Sequence, residues 1–205
     1  MANIGVRGAK WAPITDEPAN ALPQYGDVVD LPGLEQVNDT PNFYDVKQYG
    51  DDVARNIEAG FKDCGLACQV NEMAVQTAGK LYGATYVPGA DSAPGTLTYK
   101  DDDKPPFGGF GFITSQYVEA VGNQYAGTYY PKVKAVPQGK SLQTKGETIV
   151  FGSDAFQLTA IRCNSGAWKD ESEPFSTLED AQAWVAARVK KYVAPNAGGG
   201  GGGGG

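Results

Sequence analysis

Hydrophobic and polar residues alternate with a period of two through much of this chain, most clearly between residues 125 and 163. There YAGTYYPKVKAVPQGKSLQTKGETIVFGSDAFQLTAIRC reads as three strands joined by turns. In the first, Thr128, Tyr130, Lys132 and Lys134 share one face, and Tyr129, Pro131, Val133 and Ala135 share the other. Pro131 points to an edge strand, because proline has no N–H to give to a ladder. Pro137-Gln138-Gly139 ends the run. A second strand is expected over 146–151, with Gly152-Ser153-Asp154 as its turn, and a third over 156–163 with Phe156, Leu158 and Ala160 on one face.

The rest of the chain follows the same pattern. A strand is expected over 4–14, with Trp11 as its large anchor, followed by a polar, proline-containing loop over 15–25 that is too long for a tight hairpin. Val28, Val29 and Leu31 form a short strand stopped by Pro32-Gly33, which 34–37 continues, and Asn38-Asp39-Thr40 reads as a turn. Residues 42–49 alternate Phe43, Asp45, Lys47 and Tyr49 against Tyr44, Val46 and Gln48. After a turn at Gly50-Asp51-Asp52, 53–70 holds two strands or one long bent one, with Gly60 and Gly65 as bend points. Helical spacing then takes over at 72–82, with Asn71 as N-cap and Gly83 as the stop. A short strand at 85–87 precedes an irregular stretch, 88–106, in which only Leu97-Thr98-Tyr99 suggests order. Phe110, Phe112, Tyr117, Val118 and Val121 suggest a strand that packs aromatics, and the glycines at 108, 109 and 111 suggest close approach of backbones. In the last helix, Ser176 and Glu179 form a capping box, Leu178, Ala181, Val185, Val189 and Tyr192 make one apolar stripe, and Pro195 ends it. The expectation is a mainly β fold, a β-sandwich or partly closed barrel with a flanking α-helix and a C-terminal α-helix. Residues 1–193 form this single domain, and 194–205, ending in a run of glycines, form a flexible tail.

Composition narrows the function. A formal charge of −7 is the wrong balance for a protein that grips phosphate, and fits solubility or a surface that DNA passes without sticking. Cys64, Cys68 and Cys163 are an odd set with no paired spacing, so they read as small buried residues. The chain has no histidine, which removes His-based triads, bases and metal sites. Gly108-Gly109-Phe110-Gly111 lacks the third glycine of a dinucleotide loop. Asp101, Asp102 and Asp103 are consecutive and cannot all point at one cation, so they read as a solvated acidic loop. No catalytic residue, cofactor or metal is expected, and the chain is read as a non-enzyme. Residues 1–20 contain Trp11, Pro13 and Asp16 and no apolar leader segment, and no run is long enough to span a membrane, so folding in a cytoplasm is expected.

Several strings carry a resemblance. KVKAVPQGKSLQTKGETIVF and GAWKDESEPFSTLEDAQAWV, with IGVRGAKWAPITDE, YGDDVARNIEAGF and DDDKPPFGGFGF before them, resemble the major tail proteins of long, non-contractile-tailed phages infecting Gram-positive bacteria. The resemblance covers most of residues 4–185 and rests on order, spacing and composition. It implies a tail-tube subunit: a β-sandwich with a flanking helix, six copies in a ring whose inner strands join into one barrel, and rings that stack through loops and terminal arms. DNA would pass through the lumen without sequence-specific binding. The partners implied are the chain itself and the tape-measure, tail-terminator and tail-tip proteins, and the location is the virion tail, assembled in the host bacterial cytoplasm. The candidate ring-stacking loops are 15–25, with Thr15, Asp16 and Tyr25, and 88–107, with Asp101, Asp102, Asp103 and Phe107. The candidate lumen or edge strands carry Tyr44 and Val46, and Tyr130, Lys132 and Lys134. Two lysines sit oddly in an anionic lumen, so their face is expected to point outward or to meet an acidic neighbour. Two alternatives stand beside this reading. One is a β-sandwich binding module for carbohydrate or protein, with Tyr129 and Tyr130 as an aromatic platform. The other is a different virion protein, such as a tail terminator.

Overall fold

A computed structural model describes residues 2–50, 53–90, 93–139 and 152–193, and in it the alternating stretches are strands. In chain order these are β1 (Ala2–Asp16), β2 (Gln24–Tyr25), β3 (Val29–Leu31), β4 (Leu34–Gly50) and β5 (Val53–Val70). Helix α1 (Val75–Tyr82), β6 (Thr85–Val87), β7 (Thr96–Thr98), β8 (Phe107–Val118) and β9 (Gly122–Val136) follow. The described chain closes with β10 (Asp154–Ala160), β11 (Asp170–Glu171) and helix α2 (Leu178–Arg188). The fold is mainly β. Nine of the described strands form one antiparallel sheet in the order β2-β1-β8-β9-β10-β5-β4, with β3 added to β1 and β11 to β9. The sheet curls until β1 and β4, far apart in that order, come close without pairing. It is therefore an open, curled sheet rather than a closed barrel.

The curl gives the sheet an inner and an outer face, and the period of two sorts side chains between them. Trp11, Leu66, Cys68, Phe110, Tyr130, Val133, Phe156 and Leu158 meet inside, with Ala78, Leu81 and Tyr82 of α1 closing that core. On the outer face, α2 lays Ala181 and Val185 against Ile113, and Val189 against Ala12, Tyr25 and Tyr129. Phe156, Leu158 and Ala160 share the inner face, as their spacing requires. The three cysteines are free and buried, each in the role of a small apolar residue.

Strand β9 departs from the expectation in two ways. It is not an edge strand: β8 lies along one side, and β10 and β11 share the other. Pro131 is tolerated because the ladder to β8 shifts register there, between Tyr130, opposite Phe110, and Val133, opposite Gly108. A bulge leaves a residue unpaired, so the missing N–H costs nothing. The bulge also switches which residues face inward. Tyr130 and Val133 both lie in the inner core, whereas strict alternation would put them on opposite faces.

Local cues at the helices are displaced by tertiary contacts. Helix α1 begins at Val75, not at 72, and Asn71 does not cap it. The Asn71 N–H is given instead to the Gly33 carbonyl and the Met73 N–H to Asp154, which holds 71–73 away from the helix. Gly83 does end it, in the left-handed conformation (φ 70°). For α2 the cap is Thr177, whose hydroxyl oxygen accepts from the Asp180 N–H, one residue beyond the expected Ser176 and Glu179 pair. It stops at Arg188, because the following chain turns to bond β2, with the Tyr192 N–H on the Tyr25 carbonyl. Tyr192 of the expected stripe is exposed in consequence. Asn38-Asp39-Thr40 is not a turn but part of β4. The glycines of β8 make room for rings rather than for backbone alone. A Cβ on Gly108 would lie 2.3 Å from the Trp11 indole nitrogen, and one on Gly109 would lie 2.6 Å from the Tyr25 ring. The strand expected over 146–151, the turn at Asp51-Asp52 and the glycine tail lie outside the described residues.

Candidate interaction surface

The least supported part of the sheet is its longest hairpin. Strands β4 and β5 pair all the way from Leu34 and Val70 to Gly50 and Val53. Strand β10 backs β5 only over Cys64–Val70. From Asn42, opposite Asp63, outward, the two strands form an arm with no third strand on either side among the described residues. A lone two-stranded ribbon is marginal in water, so the arm needs side-chain support. Phe43 meets Phe61 edge to face across the ribbon (5.9 Å between ring centres). Tyr44 lies across Gly60, where a Cβ would come within 2.4 Å of its hydroxyl, so glycine is the residue that fits under the ring. Asn42 donates to Asp63 (2.6 Å) at the root. Even so, Phe43 is 60% exposed, Tyr44 45% and Val46 61%, and they alternate between the two faces. Uncovered apolar side chains on a free edge are the usual mark of a surface meant for another chain.

Strand pairing fixes what lies at the far end from the arm. Val70 is opposite Asp154, Gln157 is opposite Val136, Lys134 is opposite Phe107, and Gly108 is opposite Pro13. The start of α1, the described residues of 88–106 and the loop after Asp16 therefore gather at one pole, and the arm leaves from the other. At the loop pole, Met73, Val75, Tyr82, Leu97, Tyr99 and Pro137 line an open cleft of about 660 Å³. Strand β7, inside the expected irregular stretch, pairs β6 and helps to build it.

The expected site residues divide accordingly. Tyr44 and Val46 lie on the arm, as candidates for an edge strand. Asp101, Asp102 and Asp103 lie in a turn at the loop pole, with the Asp103 carboxylate accepting the Lys100 N–H (2.8 Å). Thr15 and Asp16 stand where β1 meets β2, and the Thr15 hydroxyl donates to the Gln24 carbonyl (3.2 Å). Tyr25 offers no outside surface: it is 3% exposed, and its hydroxyl bonds the Tyr129 hydroxyl and the Pro131 carbonyl (2.7 Å). Tyr130 is likewise removed from any lumen or edge, fully buried with its hydroxyl donating to Asp39 (2.9 Å). Tyr129 is as buried as Tyr130, which dismantles the aromatic platform considered for a carbohydrate-binding module. The bulge parts Lys132 and Lys134 from Tyr130. Lys132 does meet an acidic neighbour, Glu17 (2.6 Å), which also accepts the Asn164 N–H (2.8 Å) and so straps the 17–23 loop to the body. Both lysine ammonium groups sit over the ring of Phe107, at 4.9 and 5.3 Å.

Electrostatics near the arm root centre on Asp39. Burial acts to raise its pKa, but hydrogen bonds from Lys169 and Tyr130 outweigh that and hold the carboxyl below its ordinary range. Lys169 responds in kind: burial acts to lower its pKa, and its bonds to Asp39 and Glu171 raise it overall. Burial pushes the hydroxyls of Tyr25, Tyr129 and Tyr130 far up, so all three stay neutral. Among the described residues no cluster of acidic or sulfur ligands could hold a metal, and no helix is long and apolar enough to cross a membrane. The expected strands and turns break 34–63 into separate pieces, whereas 34–50 and 53–70 each form one long strand. The signal for the arm was present, in apolar residues on both faces of 42–49, where a strand covered on one side would show them on one face only.

No protein-family profile matches the chain, and no curated protein matches it.

Proposed function

We propose that the protein is a self-assembling structural subunit of a phage tail tube, stacked in rings through which DNA passes. The observation that carries the reading is the polarity of the molecule. One pole presents an arm with uncovered Phe43, Tyr44 and Val46, and the other presents an apolar cleft and the loops around it. Two different surfaces at opposite poles make a head-to-tail contact, which leaves a free surface at each end and so extends into a stack. Among the described strands β4 has no partner on its outer edge, and that edge can pair with a neighbour in the ring. The net charge supports passage of DNA rather than binding, since a hexameric ring would carry six times the −7 of one chain. The resemblance in sequence to major tail proteins points the same way. The reading assigns the chain no catalysis and no cofactor, and it places the protein in the virion tail beside tape-measure, terminator and tail-tip proteins.

The test is negative-stain electron microscopy of the purified protein, fresh and after concentration. Tubes or stacked rings with an open lumen are expected, and a Val46→Ser variant, which leaves the Phe43–Phe61 contact in place, should stay dispersed with an unchanged melting temperature. Dispersed protein at every concentration, with or without a tail-tip complex to nucleate it, overturns the proposal.

A further inference from the structure

A two-stranded ribbon twists and bends easily, so an arm that must meet a partner needs something to fix its direction. We propose that Trp168, helped by Lys169, is a clamp that sets the direction of the arm. The inference rests on the reading of the arm as a contact surface.

Trp168 lies between β10 and β11, on a segment fixed to the centre of the sheet at both sides. Before it, the Cys163 N–H donates to the Ala167 carbonyl (2.9 Å), and the N–H of Gly166, at φ 89°, donates to the Cys163 carbonyl (2.8 Å). After it, Asp170 pairs with Tyr129 and forms an ion pair with Arg188 of α2, and the Ser172 N–H reaches the Gly127 carbonyl (2.9 Å). From this mount the Trp168 ring stacks flat on Phe61, with ring centres 4.3 Å apart and planes 15° from parallel. Phe61 belongs to β5, just outside the last residue that β10 supports. The next residue, Lys169, holds the other strand just short of the arm, with its ammonium 2.8 Å from Asp39 of β4, which lies opposite Leu66 in the backed part of the hairpin. Tyr130, from the sheet centre, binds the same carboxylate (2.9 Å). Strand β5 is thus tethered to the body just beyond the point where the third strand stops, and β4 just before it. Trp168 is half-buried, so its ring does not fill the centre of the core. A flat stack of two rings favours one relative orientation, which is what a positioning contact requires.

The clamp is tested by electron–electron distance measurement between spin labels on the arm and the body, at Val46→Cys and Glu119→Cys. The native cysteines are buried and should not label. A narrow distribution is expected in the parent, a distribution at least twice as broad in Trp168→Ala, and a return to the narrow one in Trp168→Phe. Where the parent assembles, Trp168→Ala should lower the yield of assembled protein at least tenfold. A distribution that Trp168→Ala leaves unchanged overturns the clamp. If Trp168→Ala fails to fold, Phe61→Leu removes the same stack from the arm side, and loss of the fold in both variants makes the pair structural and also overturns it. A broadened distribution in a protein that forms no tubes keeps the clamp and removes the tube function, so the two readings fail separately.

Discussion

At the scale of single residues, the outer core is organised by a pair of tyrosines whose hydroxyls meet. Tyr25 bonds both the Tyr129 hydroxyl and the Pro131 carbonyl, at the position where the bulge leaves β9 without regular partners. The two hydroxyls are therefore not equivalent. Tyr129→Phe removes one bond and leaves Tyr25 its carbonyl partner, a loss of about 1 kcal/mol. Tyr25→Phe strands two buried groups and should cost more, about 2 kcal/mol or above. Thermal melts should rank Tyr25→Phe below Tyr129→Phe, and the reverse order would show that the carbonyl is satisfied in another way. Neither substitution opens a cavity, because Phe keeps the ring.

At the scale of elements, β1, β8 and β10 were legible because their inner faces are nearly pure apolar alternation, anchored by Trp11, Phe110 and Phe156. Both helices were legible as helices, but not their first turns. For α2 the choice between Ser176 and Thr177 rests on which hydroxyl the packed helix turns toward its own backbone. Thr177→Ala should cost about 1 kcal/mol by urea unfolding, and Ser176→Ala should cost nothing measurable. What the sequence hid was register. A bulge is a one-residue event, and Pro131 announces it only if the strand is already known to be internal. The grip on the arm root was hidden for a different reason: Phe61 and Trp168 are 107 positions apart in the chain, and nothing local links them. The same holds for Asp39, which sits in a triplet of turn-forming residues yet is held extended by Lys169 and Tyr130.

At the scale of the whole molecule, a core rich in buried tyrosine and cysteine makes stability depend on alkaline pH. Burial pushes Cys68 and Tyr82 each up to about 12, above their unfolded values of roughly 8.5 and 10. Groups raised in this way contribute fully below the unfolded pKa, and the contribution is lost as pH rises through the folded one. Stability should fall between about pH 8.5 and 12, with Cys68 alone accounting for about 2–3 kcal/mol at pH 10.5. Urea midpoints at pH 7.5 and 10.5 check this, and Cys68→Val should shrink the difference between them. The arm carries a further consequence, one of leverage. Its strands run nine (β4) and eleven (β5) residues past the last backed position, on the order of 35 Å, so a 5° tilt at the root would displace the tip by about 3 Å. That is most of the spacing between neighbouring residues along a strand. A molecule built as a cantilever has its tolerances set at the fulcrum, and a small change beside Asp39 or Phe61 would be read as a large error at the far end.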